Sequence, residues 1–253
     1  MQLAHKKHIS ESFRLAALLA LVGGFLDAYT YICRGEVFAN AQTGNIVLVG
    51  LSLSEYDLKG VIYHFVPVIA FILGVIITEM IKRRIKPKKT FIHWRQIVIG
   101  AEIIILTLMA FIPMGKYDVI VNISISFICA MQVEAFRKVN GTALSTTMCT
   151  GNLRTATEQI YRFIVEKDKS KMNISVQAYG IVIFFIIGAS MGGILTKMYL
   201  EKAILVASAI LFVVFVSMFR NIEKYILKEL EEDDEEEEEE IDSEIKKLKH
   251  MKN

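Results

Sequence analysis

The chain has 253 residues, 53% of them hydrophobic, and a mean hydropathy of +0.43, above the apolar share of about 45–50% in soluble domains. Its net charge of +2 hides a basic body and an acidic end: residues 1–228 carry 25 Lys and Arg against 14 Asp and Glu, and 11 of the 12 residues from Glu229 to Glu240 are acidic. Six apolar runs, each long enough to cross ~30 Å of hydrocarbon, exclude a soluble enzyme, a disulfide scaffold, a nucleic-acid-binding module and a disordered chain, and leave a multi-pass membrane protein in a lipid bilayer.

In chain order the predicted spans are Ser12–Ile32, Val61–Ile81, Ile97–Pro113, Asp118–Phe136, Val176–Lys197 and Ala203–Phe219, an all-α membrane fold. The first contains Asp27 and has no small-residue cleavage site after it, so it reads as a retained helix rather than a signal peptide. The segment 82–95 and the linker 137–175 each carry seven Lys and Arg, against two, one and two in the other three linkers. Since these residues resist translocation, both termini are predicted to be cytoplasmic. The cluster Lys82–Lys89 reads as a topology signal, and the acidic tail as a solvated cytoplasmic extension.

The stretch Phe38-Ala-Asn-Ala-Gln-Thr43-Gly44-Asn45 recurs in weakened form as Ser145-Thr-Thr-Met-Cys-Thr150-Gly151-Asn152, 107 residues later. The same offset puts Asp27 on Glu134, and a slightly longer one puts Phe71-Ile-Leu-Gly74 on Phe185-Ile-Ile-Gly188. Each half then holds three spans, an odd number, so the copies must be inverted relative to each other, an architecture frequent among transporters. The expected organisation is a cytoplasmic N-terminus (1–11), a first three-helix repeat (12–114), a second, inverted one (115–222) and the acidic tail (223–253). Ile46–Leu53 is too short to span and reads as a re-entrant half-helix capped by Thr43 or Asn45. Its counterpart Leu153–Val165, with Arg154, Glu158 and Arg162, is expected at the cytoplasmic face.

Gly23-Gly24-Phe25-Leu26-Asp27-Ala28, followed by Val37-Phe38-Ala39-Asn40-Ala41-Gln42-Thr43-Gly44-Asn45, resembles the YoaK family of bacterial integral membrane proteins over roughly residues 12–220. The resemblance implies a multi-pass protein of the bacterial inner membrane and supplies no activity.

Ionisable groups inside a span are functional candidates by default. Asp27, Glu134 and Glu102 are the coupling-ion candidates, although Asp27 and Glu134 could equally accept hydrogen bonds from the half-helix N–H groups and pin the chain breaks. Thr43, Gly44 and Asn45 with Thr150, Gly151 and Asn152 are the expected solute-binding residues, through backbone N–H groups and the Asn amides. Glu79 is expected to pair with Lys82 or Arg83, Asn122 and Ser126 to hydrogen-bond between helices, and Gly188-xxx-Gly192 to pack closely. The histidines His64 and His93 and the three scattered cysteines have no metal spacing, so no metal or cofactor is expected. Nucleotide-binding and hydrolase motifs do not occur, which argues against an enzyme. The preferred reading is a secondary transporter of a small polar or anionic solute coupled to protons or sodium. A passive channel and a membrane scaffold or sensor are the alternatives, and a second copy of the chain is an admissible partner.

Overall fold

The computed structural model describes residues 12–85 and 93–218. The N-terminal 1–11, the 86–92 part of the basic cluster, the end of the sixth predicted span at Phe219 and the acidic tail lie outside the described residues. Eight helices follow in order: α1 (Phe13–Cys33), α2 (Gln42–Ser54), α3 (Leu58–Ile85), α4 (Trp94–Met109), α5 (Asp118–Ala135), α6 (Cys149–Glu166), α7 (Lys169–Tyr199) and α8 (204–218). Two compact units divide the chain, Met1–Phe215 and Val216–Asn253, and α1 through α7 belong to the first.

Four segments are long and apolar enough to cross a membrane: Phe13–Cys33, Leu58–Arg84, Asp118–Ala135 and Lys169–Met218. The last is 50 residues long and is interrupted by a 3-10 turn at Leu200–Ala203, where Leu200 takes φ 49°. Helix α4 has 16 residues, about 24 Å at 1.5 Å per residue. The helices start where local chemistry allows. Ser12 caps α1, accepting the Leu15 N–H at 3.4 Å. His93 and Gln96 form a reciprocal capping box on α4. Asp168 caps α7 by accepting from Ser170 N and Oγ at 2.8 and 2.6 Å, and these bonds hold its carboxyl below the ordinary carboxylate range.

Burial separates inner helices from outer ones. The most apolar stretch of α1 is 72% buried and that of α5 61%, against 17% in α3. Helix α3 turns Phe65, Ile69, Ile72, Ile76 and Met80 outward, a face that only hydrocarbon suits. The closest packing joins α1 with α7 and α3 with α5. Both contacts depend on bare backbone. A Cβ at Gly188 would fall on the Leu21 carbonyl of α1, one at Gly192 would stand 2.6 Å from the Phe25 carbonyl oxygen, and one at Gly74 would fall on the Phe127 carbonyl of α5. The Gly-xxx-Gly pair of α7 thus packs closely, as its spacing predicts.

The all-α expectation needs an amendment at 138–143. Lys138–Val139 and Thr142–Ala143 pair antiparallel, Lys138 opposite Ala143 and Val139 opposite Thr142. Between them Asn140 and Gly141 take φ of 48° and 83°, the left-handed pair that an Asn-Gly hairpin turn uses. The hairpin drives Val139 and then Leu144 into a buried cluster with Ala16 and Ala20 of α1, Ala156 of α6, and Ala178 and Ile181 of α7.

Beyond α1, Arg34 is fully buried rather than a solvated loop charge. It pairs with Asp118 at 2.9 Å, donates to the Ile112 carbonyl at 2.8 Å and to the Tyr29 hydroxyl at 3.0 and 3.1 Å. Its own carbonyl accepts from Asn122 Nδ2 at 2.7 Å and from the Tyr63 hydroxyl at 2.9 Å, so Asn122 does bond between helices. A buried charge survives only with such full pairing.

Candidate functional site

The chain leaves α1, runs extended from Val37 and turns into α2, and each step is fixed by a side chain. Asp27 Oδ1 accepts the Asn40 N–H at 2.6 Å and the Ala41 N–H at 3.2 Å. Asn40 Nδ2 reaches back to the Gly23 carbonyl at 3.3 Å. Asn45 accepts the Phe38 N–H at 3.0 Å and donates to the Phe38 carbonyl at 2.7 Å and to Gln42 Oε1 at 2.9 Å. The knot 38–45 is therefore closed by its own polar groups. Helix α2 already begins at Gln42, so Thr43-Gly44-Asn45 forms its first turn and does not precede it; neither Thr43 nor Asn45 caps it, because the residue before the helix is Ala41. Its buried residues are Asn45 and Ser52, while Ile46, Val47, Leu51 and Leu53 face outward, the reverse of a soluble helix.

The second Thr-Gly-Asn repeats the bond pattern. Asn152 accepts the Ser145 N–H at 3.3 Å and donates to the Ser145 carbonyl at 2.6 Å, again seven residues back. Helix α6 begins at Cys149, with Met148 before it, so here too the motif lies within the first turn. The acceptor differs. The N–H groups of Thr147 and Met148, 107 residues after Asn40 and Ala41, go to the Ser145 hydroxyl at 3.4 and 3.3 Å. Glu134, the counterpart of Asp27, instead pairs with Arg137 at 3.1 Å.

The two motif turns meet at one cavity of about 1080 Å³. It collects Asp27 and Thr43 from the first half and Thr150, Gly151 and Asn152 from the second, which sequence spacing alone does not bring together. Gly44, Asn45, Glu134 and Glu102 are not among its lining residues. Both Asn amides are bonded to backbone, and the N–H groups of residues 40, 41, 42, 44, 147 and 148 already have acceptors. The expectation that a solute is held by the Asn45 and Asn152 amides and the surrounding backbone N–H groups thus meets donors that are already occupied.

Other polar atoms of the wall are not. Asp27 Oδ2 and Asn40 Oδ1 are buried without a hydrogen-bond partner, a condition that costs about 1–3 kcal/mol per group when nothing compensates it. Asn40 was not singled out from the sequence; its signal was its place inside the recurring segment. The rings of Tyr31, Phe38, Phe71 and Phe185 complete the wall, Tyr31 and Phe38 stacked at 4.9 Å, and Arg154 stands at it as an exposed cation.

Glu102 is buried elsewhere in the core. With its amide nitrogen turned towards α4, Gln132 of α5 donates to both Glu102 oxygens, at 2.9 and 3.2 Å. Glu79 pairs with Lys82 at 2.6 Å, as its spacing predicts. The three cysteines are free thiols, and among the described residues no three His, Cys, Asp or Glu side chains converge to hold a metal.

Comparison with known proteins agrees with the membrane reading. The family DUF1275, described as a protein of unknown function, matches residues 15–217. The UPF0700 transmembrane protein YoaK of Bacillus subtilis (strain 168) is 29% identical over 187 residues, covering 69% of this chain and 80% of that protein. No solved structure matches. The apolar helices, the outward hydrocarbon faces and a family match over most of the length give one conclusion: the chain is an integral membrane protein and belongs to the DUF1275 family, as a relative of YoaK.

Proposed function

We propose that this protein is a secondary transporter of a small polar solute, coupled to protons or sodium, built from six spans as an inverted three-plus-three repeat in the bacterial inner membrane, with both termini cytoplasmic. The observation that carries the reading is the single cavity between the first turns of α2 and α6, walled by a buried carboxylate with one unpartnered oxygen. Breaks in helical structure at membrane depth are tolerated where they line such a cavity. Several features support the repeat: the matched seven-residue Asn bonds, the matched glycine contacts of α7 on α1 and α3 on α5, and the outward apolar face of α2. The stretch Lys169–Met218, with its turn at Leu200, is long enough for two passes. Rocking one repeat against the other would expose the cavity alternately. Asp27, at the cavity, and Glu102, buried on Gln132, are the carboxylates available for coupling.

Proteoliposomes with an imposed proton or sodium gradient test this. Accumulation of a solute against its own gradient, lost when the ion gradient is collapsed, is the expected result; flux that only dissipates the solute gradient makes the protein a channel. Orientation is tested with single cysteines in a background lacking the native three. Tyr56→Cys is expected to label from outside intact cells, and Lys167→Cys only after permeabilisation.

A further inference from the structure

We propose that the cavity takes an organic ammonium: a protonated amine on a small apolar body, held by Asp27 and Asn40 against aromatic rings. The inference rests on reading the cavity as the solute site. Three observations carry it. First, the wall's unpartnered buried atoms, Asp27 Oδ2 and Asn40 Oδ1, are both acceptors, so they call for a ligand that donates several hydrogen bonds, as an ammonium does. Secondly, the carboxylate exceeds what the scaffold requires. In the second copy the equivalent pair of N–H groups is satisfied by the neutral Ser145 hydroxyl, so pinning α2 needs no charge and no second oxygen. Thirdly, the rest of the wall suits the body of an amine. Tyr31, Phe38, Phe71 and Phe185 offer ring faces and edges to a cation and its hydrocarbon. An anion meets the opposite: the nearby N–H groups are already bonded, and Arg154 is the lining's one exposed cation among the described residues.

The full chain in detergent is titrated with benzylammonium chloride, benzyl alcohol and sodium benzoate at constant ionic strength, following thermal unfolding. A ligand that binds only the folded state raises its stability. Benzylammonium is expected to give a saturable rise in Tm with a half-point about tenfold or more below that of benzyl alcohol, the margin of a charge-assisted bond, and benzoate no rise. Asp27→Asn, which keeps one oxygen for the Asn40 and Ala41 N–H groups, is expected to abolish the difference between amine and alcohol. Equal responses to amine and alcohol, a stronger response to benzoate, a flat response to all three, or an undiminished amine response in Asp27→Asn each overturn the proposal. Should Asp27→Asn fail to fold, the wild-type contrast between amine and alcohol decides alone. Amine binding without ion-coupled flux in proteoliposomes keeps the ammonium site and removes the transporter reading. Coupled flux of a neutral or anionic solute with no amine response does the reverse.

Discussion

The first turns of α2 and α6 solve one geometric problem with different chemistry. In both, an Asn clasps the backbone of the residue seven positions earlier, and in both the two N–H groups before the helix share one oxygen. In the first copy that oxygen is a carboxylate from α1; in the second it is a local hydroxyl, and the matching carboxylate, Glu134, turns to Arg137. Shared scaffold and divergent acceptor teach where to look for function. What recurs holds the fold, and what has diverged is free to meet a ligand.

The largest expected effect strikes what the halves share. Gly188→Leu places carbon on the α1 backbone and should cost more than about 3 kcal/mol, read as loss of the monodisperse peak in size-exclusion chromatography. Next come Asn45→Ala and Asn152→Ala, each of which orphans a backbone N–H and C=O. Each should lower stability by roughly 2–4 kcal/mol in detergent unfolding, and a large difference between them would show that the clasp is not shared. The motif glycines should then part company. A Cβ at Gly44 would stand 2.6 Å from the Phe38 ring, whereas nothing lies within 4 Å of one at Gly151. Gly44→Ala is expected to destabilise by about 1–2 kcal/mol, while Gly151→Ala should be neutral or stabilise by up to ~1 kcal/mol through helix propensity; equal Tm shifts would erase the distinction. Smallest is Glu134→Gln, which removes a pair with the exposed Arg137 and should change stability by about 0–1 kcal/mol. A loss of ligand-linked stabilisation there would make the two carboxylates alike after all.

Apolar length was enough to locate α1, α3, α4, α5, α7 and α8 to within a few residues, since hydrocarbon faces leave an uninterrupted trace in composition. The proximity of Asp27 to the first Thr-Gly-Asn was also legible, from seventeen residues of separation bridged by a chain reversal. The start of α2 was not: Asn ordinarily signals a cap, yet Asn45 sits inside the helix and bonds backwards over seven residues, a reach no local rule encodes. The hairpin at Asn140-Gly141 had its turn signal, but strands of two residues have no period to detect. The cavity and the Glu102–Gln132 contact join segments that only tertiary packing brings together. Arg34 misled for the same reason, because a count of loop charges cannot tell a solvated arginine from one enclosed by Asp118 and Ile112.

That enclosure bears on how the protein is made. Arg34 closes the end of α1, yet Asp118 lies 84 residues downstream and Ile112 78. At translation rates of about 5–20 residues per second, the ribosome needs roughly 4–17 s to deliver that carboxylate. During this interval the guanidinium must remain among lipid headgroups or water, and the first helix cannot reach its final depth. Assembly of the N-terminal half therefore waits on synthesis of the C-terminal half, and a ribosome stalled before residue 118 leaves a nascent chain whose opening span is inserted but not yet locked.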